Sequence, residues 1–178
     1  MSALPIPLTV ISSTSNQYLW GQIGIGNNVL TQQPKNPGYW ILVLDRHTLN
    51  VVFNQFQEAP NVAPNLGNYN STDYILVLGT IGVGLNNQPQ GEFFTFLDLN
   101  GGGRELRRVN QVATQFNCGS LGTFGYALVG ILGNQDMPGF EGSQITAGID
   151  LAPILTVQLL PNDINGTTFY TPVSLNDA

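Results

Sequence analysis

Few side chains in this sequence have a type and spacing that could do covalent chemistry. The one histidine, His47, stands two residues after Asp45. That pairing suits a hydrolase base only where the imidazole is sheltered and its proton geometry is held. His47 instead falls in a short polar stretch between two apolar runs, which makes it an exposed turn histidine. Gly119-Ser120-Leu121-Gly122 is not the Gly-x-Ser-x-Gly nucleophile turn. Gly82-Val83-Gly84 and Gly101-Gly102-Gly103 lack the third glycine and the lysine that phosphate loops require. One histidine and one cysteine, Cys118, far apart in the chain, give no zinc set, and Cys118 reads as a buried small hydrophobe. Asp136, Glu141 or Asp150 could meet calcium with help from backbone carbonyls, but no loop pattern supports it. No metal and no cofactor is expected.

Non-covalent recognition is better represented. Tyr18, Trp20, Tyr39, Trp40 and Tyr69 include rings outside the obvious core periods. A flat ring beside side-chain amides is what the apolar face and hydroxyls of a sugar would meet. Trp40 lies inside an apolar run and is expected in the core, and Trp20 has a core reading too. The candidate ligand-binding residues are Tyr18, Trp20, Asn54, Tyr69 and Arg107. Three of the five basic residues, Arg104, Arg107 and Arg108, cluster. They read as the solvated face of a helix, the alternative being an anion site for a carboxylate or a sulfated sugar.

Composition narrows the partners. Only 9% of the 178 residues are charged, against roughly 25% in ordinary globular chains. Nineteen Asn and 13 Gln fill the gap. Contacts made by amides depend little on salt, because salt screens charges and not neutral hydrogen bonds. Sugar-binding modules and subunits that pack on their own copies both suit such a surface. A net charge of −6 argues against nucleic acid, which needs a basic footprint. One cysteine excludes an internal disulfide and is compatible with a reducing compartment. Met1–Ser13 has no basic segment and is broken by Pro5 and Pro7, so no secretory signal is visible. No apolar run approaches 18 residues, so no membrane span is expected. The sequons Asn70-Ser71-Thr72 and Asn165-Gly166-Thr167 read as chance in so Asn-rich a chain.

The elements that must position these residues centre on a hairpin, Tyr39 to Gln55. The run Tyr39–Leu44 has strand length and no polar face, so it is expected to be buried on both sides. Asp45–Thr48 supplies turn chemistry, and Leu49–Gln55 is the return strand. Leu8–Ser12, Tyr18–Ile25, Val29–Gln32, Tyr74–Gly79 and Gly125–Gly133 read as further strands. Gln57–Thr72, Thr80–Gly91 and the Gly-rich stretch Asn134–Gly148 read as loops. Glu92–Leu99 is expected as a short helix. Arg104–Phe116 is the longer one, with Leu106, Val109, Ala113 and Phe116 on one face of a 3.6-residue period. That face should pack on the strands Tyr39–Leu44, Tyr74–Gly79 and Tyr126–Leu132. Leu151–Leu159 reads as an edge strand beginning near Pro153. The expected layout is an N-terminal arm over 1–7, one domain over 8–160 and a polar C-terminal tail over 161–178. The fold class is α+β: a β-rich single domain.

Taken in order, the core pieces resemble the domain of the interleukin-like EMT inducer family, which is similar to the stem domain of protein O-mannose N-acetylglucosaminyltransferase. The resemblance rests on Gly38-Tyr39-Trp40-Ile41-Leu42-Val43-Leu44-Asp45, Thr48-Leu49-Asn50-Val51-Val52, Tyr74-Ile75-Leu76-Val77-Leu78-Gly79, the helix from Arg104, Cys118-Gly119-Ser120-Leu121-Gly122, and Tyr126-Ala127-Leu128-Val129-Gly130. It implies two mainly antiparallel sheets lined by short helices and an activity of binding rather than catalysis. In the transferase stem domain the implied ligand is an N-acetylglucosamine-type sugar. Phe53-Asn54-Gln55 stands where the family has Phe-Asp-Thr, and Thr80-Ile81-Gly82-Val83 replaces an acidic pair. The paired cysteines of the secreted animal members are absent. The expected function is therefore a non-catalytic, lectin-like recognition module for a glycan or cell-surface ligand. Composition favours an extracellular or surface-exposed setting. The alternative is a structural subunit of a homo-oligomer or larger assembly that self-associates through edge strands. A hydrolase using His47 is the least favoured reading.

Overall fold

The computed structural model describes residues 4–117, 122–146 and 154–175. The chain forms β1 (Ile6–Ser12), β2 (Gly21–Ile25), β3 (Asn28–Gln32), β4 (Gly38–Asp45), β5 (Val51–Gln57), β6 (Tyr74–Ile81), α1 (Gly91–Leu99), α2 (Arg104–Gln115), β7 (Thr123–Ile131), β8 (Phe140–Thr146), β9 (Ile154–Ile164) and β10 (Thr167–Ser174). Among the described residues, ten strands make two five-stranded antiparallel sheets, ordered β10-β9-β1-β2-β3 and β5-β4-β6-β7-β8. The fold is α+β and β-rich, with two short helices beside the second sheet.

The apolar run of β4 explains the layering. Side chains alternate across a strand, so Trp40, Leu42 and Leu44 face one way and Tyr39, Ile41 and Val43 the other. The first set packs with Leu8, Val10, Ile23, Val157 and Leu159 between the two sheets. The second set packs with Phe93, Leu97, Leu106, Val109 and Ala113 under the helices. The second sheet is thus buried on both faces, and its central strands need no polar face. The order is sheet, sheet, helices.

Turn chemistry sets the hairpin. The Asp45 Oδ1 accepts from the backbone N–H of His47 at 2.8 Å and of Thr48 at 2.9 Å. Leu49 then takes a left-handed φ of 58°, uncommon for a residue with a branched side chain, and its N–H closes on the Asp45 carbonyl at 2.8 Å. Between the helices, Gly101 has φ 87° and passes so close to the β7–β8 connection that a Cβ would sit 2.4 Å from the Gly139 nitrogen. Only glycine fits there on both counts.

Several sequence expectations are corrected. Phe116 does not join the apolar face of α2. It is the residue after the helix, with φ −100° and ψ 4°, and it is 71% exposed. The backbone has left the helical path by then, and the next residue, Asn117, is left-handed. The strand expected from Tyr18 starts at Gly21, because the Ser15 Oγ accepts from the N–H groups of Gln17 and Tyr18 and bends the chain. The expected loop 134–148 contains β8, which pairs with β7 along seven residues. β9 is not an edge: it lies between β10 and β1. Pro161 fits because it sits past the last β1 partner, where Ile6 pairs with Leu159. The expected polar tail is the end of β9 and β10. Asn165 (φ 52°) and Gly166 (φ 80°) make the two-residue turn that such a hairpin favours. Ile6 and Pro7, expected in an arm, pair with Leu159 and Gln158.

Candidate functional site

Two turns and two strands meet at one end of the two sheets. The start of β1 brings Ile6 and Pro7, and the β2–β3 turn brings Gly26, Asn27 and Asn28. The β4–β5 turn brings His47 through Asn50, and β10 brings Tyr170. Together they line a cleft of about 520 Å³. Loops set on a rigid scaffold are where recognition residues concentrate.

Arg46 holds this end together. Its backbone carbonyl accepts from the Tyr170 N–H at 2.8 Å. Its guanidinium donates to the carbonyls of Tyr170 at 2.9 Å and Thr72 at 2.6 Å, and to the Thr171 hydroxyl at 3.0 Å. The guanidinium also lies 5.6 Å from the centre of the Phe169 ring. Burial pulls its pKa below the ordinary arginine value, opposed by the Asp73 carboxylate.

His47 is not the exposed turn residue expected. It is half-buried, with its ring centre 4.2 Å from that of Phe169, and its Nδ1 lies 3.0 Å from the Thr168 carbonyl oxygen. A carbonyl only accepts, so Nδ1 carries the proton, and Nε2 is an acceptor in the neutral ring. Asp45 does not orient this imidazole. Its Oδ1 takes the two backbone N–H groups of the turn and the Thr48 hydroxyl. Partial burial raises the Asp45 pKa, but these bonds outweigh it and hold the carboxyl below its ordinary value.

The remaining polar groups of the cleft face outward. Asn27, Asn28 and Asn50 are exposed, and their side-chain amides make no hydrogen bond among the described residues. Among the described residues, no carboxylate, lysine or arginine lines the cleft. Ile6, Ile25 and Leu49 supply an apolar floor continuous with the inter-sheet core.

The five residues proposed from sequence lie elsewhere. Tyr18 is 67% exposed on the bend before β2, and Trp20 follows it half-buried. Asn54, on β5, uses its Oδ1 to accept from the Trp40 indole N–H at 2.9 Å. Trp40 is in the core, as expected. Tyr69 packs edge-on against Tyr74, with ring centres 5.3 Å apart. Arg107 alone lines a second cleft, of about 270 Å³, with Gln88, Gln90, Phe94 and Asn110 among its neighbours. Its guanidinium lies 5.1 Å from the centre of the Phe94 ring and pairs with Asp98 at 2.6 Å.

The arginine cluster is internally matched. Arg104 pairs with Glu141 at 3.2 Å and Arg108 with Glu105 at 3.4 Å, while all three arginines are more than half exposed. They form a solvated face with carboxylate partners. Glu141 caps α2. Asp136 sits in an exposed turn where its N–H donates to Asn134. Cys118, Ser120 and Asp150 lie outside the described residues.

The sequence alone puts Asn27 and Asn28 in a turn, Asn50 in the return strand of the hairpin and Tyr170 in the tail. The signal available was the Asn-Asn pair between two short strands and the polar hairpin turn. Nothing in the order of residues said that β10 returns beside them. No helix among the described residues is long and apolar enough to cross a membrane. No family model and no curated protein matches this chain in sequence.

Proposed function

We propose that the chain is a non-catalytic recognition module whose end cleft binds a neutral carbohydrate. The observation that carries this reading is the lining of the 520 Å³ cleft. Three amides without a hydrogen bond among the described residues, the Nε2 acceptor of His47 and the Tyr170 ring surround an apolar floor, with no carboxylate, lysine or arginine in that lining. Amides offer both donors and acceptors to sugar hydroxyls, and a ring edge with aliphatic neighbours suits the sugar's apolar face. The resemblance to the interleukin-like EMT inducer family and an extracellular or surface setting belong to the same proposal.

A glycan array tests it, followed by calorimetric titration of any retained glycan. Asn28→Ala and Asn50→Ala should each weaken binding about 2- to 12-fold, the range for one lost hydrogen bond. Raising the salt from about 50 to 500 mM should change affinity less than about twofold, since the contacts are neutral. A chain that retains no glycan at millimolar concentration sinks the reading. So does binding that is indifferent to both substitutions.

A further inference from the structure

Charge is distributed unevenly across the layers. No charged side chain precedes Lys35. β1, β2, β3 and β10 carry none, and β9 carries only Asp163, beside its hairpin tip. The sheet β10-β9-β1-β2-β3 is therefore almost uncharged in a chain of net charge −6.

That sheet buries one face only. Leu8, Val10, Val157 and Leu159 point to the inter-sheet core. Their alternates Thr9, Ile11, Thr156 and Leu160 point outward and are half-exposed, and on the edge strand Val29 is 52% exposed. No helix or strand among the described residues packs on this outer face. It is close-set across strands: Thr9 lies opposite Thr156 and Gly24, and the Thr9 and Thr156 hydroxyls are 3.3 Å apart. Nothing lies within 4 Å of where a Gly24 Cβ would be, which leaves the face open at β2.

We infer that this outer face packs against the same face of a second copy of the chain, giving a symmetric dimer. Two copies of an acidic chain repel wherever their charges meet, and this is the broad surface where they do not. Five strands about 4.8 Å apart and β1 at about 3.3 Å per residue give a face of roughly 24 by 23 Å. Two such faces cover about 1,100 Å², above the roughly 1,000 Å² a specific interface needs and just under the roughly 1,200 Å² at which stable ones begin. Face-to-face packing of twisted sheets is an ordinary arrangement. Two of the four edge strands are less suited. β5 is irregular opposite Val43 and Leu44, and the outward backbone groups of Tyr170 on β10 are bonded to Arg46.

Sedimentation velocity from about 5 to 500 µM tests the inference. The expected result is a reversible monomer–dimer equilibrium that high salt does not weaken. Gly24→Glu puts a negative charge on the packed face of each copy without an internal clash, and should weaken dimerisation about a hundredfold while leaving the denaturation midpoint and any glycan binding at the end cleft unchanged. Gln115→Glu, exposed on α2, should leave the dimer intact. A wild-type chain that stays monomeric at 500 µM overturns the inference. So does a dimer that Gly24→Glu does not disturb, because association would then run through another surface such as a strand edge.

Discussion

Replacing Glu141 by alanine should cost about 2–4 kcal/mol of stability, the sum of a stranded buried hydroxyl and a lost helix cap. The Glu141 carboxylate is fully buried. Its Oε1 accepts from the Tyr126 hydroxyl at 2.7 Å, and its Oε2 accepts from the backbone N–H of Arg104 at 3.1 Å and of Glu105 at 3.4 Å. Gly103 precedes α2 with φ 94° and offers no side chain to cap it, so a carboxylate from β8 performs that task. Alanine strands the buried Tyr126 hydroxyl, at about 1–3 kcal/mol, and removes a helix cap, at about 1 kcal/mol. The ion pair to Arg104 adds little, because the guanidinium is 62% exposed. Glu141→Gln should cost only about 1–2 kcal/mol. Its carbonyl can still accept from the helix and its amide can donate to the Tyr126 oxygen, so the main loss is the charge at the helix start. Guanidinium denaturation at pH 7, followed by the fluorescence of Trp20 and Trp40, measures both. In a Tyr126→Phe background the alanine change should cost about 1–3 kcal/mol less, since no hydroxyl is left stranded. An alanine variant within about 0.5 kcal/mol of the parent would refute the reasoning. So would a glutamine variant as damaged as the alanine one, or the absence of coupling to Tyr126.

Two further outcomes follow from the helical layer. Leu106→Ala should cost about 2–5 kcal/mol through transfer and cavity terms, whereas exposed Phe116→Ala should stay within about 0.5 kcal/mol; equal losses in denaturant would mean that α2 is rotated about its axis. Burial first, and then the Glu141 carboxylate, raise the Tyr126 pKa, and burial raises that of Tyr39, so the folded chain holds both phenolic protons at a pH where the unfolded chain, near pKa 10, releases them. The stability is fully present below about pH 10 and falls above it, by up to about 1.4 kcal/mol per tyrosine per pH unit. Denaturation at pH 9 and pH 11 checks this, and Tyr126→Phe should flatten the slope; unchanged stability at pH 11 would contradict the burial assigned to both rings.

What was legible in the sequence is what short-range pattern determines. The run Tyr39–Leu44 announced a strand buried on both faces, and the reason is now concrete: one set of alternating side chains meets the other sheet and the second meets the helices. Leu106, Val109 and Ala113 announced their shared face in the same way. Phe116 did not follow, because periodicity extends past a helix end as readily as within it, and only the backbone at Phe116 and Asn117 says where the helix stops. β8 failed for a different reason. Phe140–Thr146 has a glycine, a glutamate and three half-polar positions, and it is a strand because β7 offers it a complete ladder and Glu141 on it caps α2.

The end cleft was the least legible feature, for a physical reason. Its residues are individually ordinary turn and strand-end residues, and their meaning comes from two long-range facts. The Asn165-Gly166 turn sends β10 back along β9, which reaches the start of β1. Arg46 then locks Tyr170 to the β4–β5 turn, closing the cleft across more than a hundred residues of sequence separation. Rings and amides chosen one at a time could not find it. Asn54 is committed to Trp40 and Tyr69 to Tyr74, whereas the amides of Asn27, Asn28 and Asn50 make no hydrogen bond among the described residues. For a neutral ligand the discriminating property of a polar side chain is whether the fold has already used its hydrogen bonds, and composition alone does not report that.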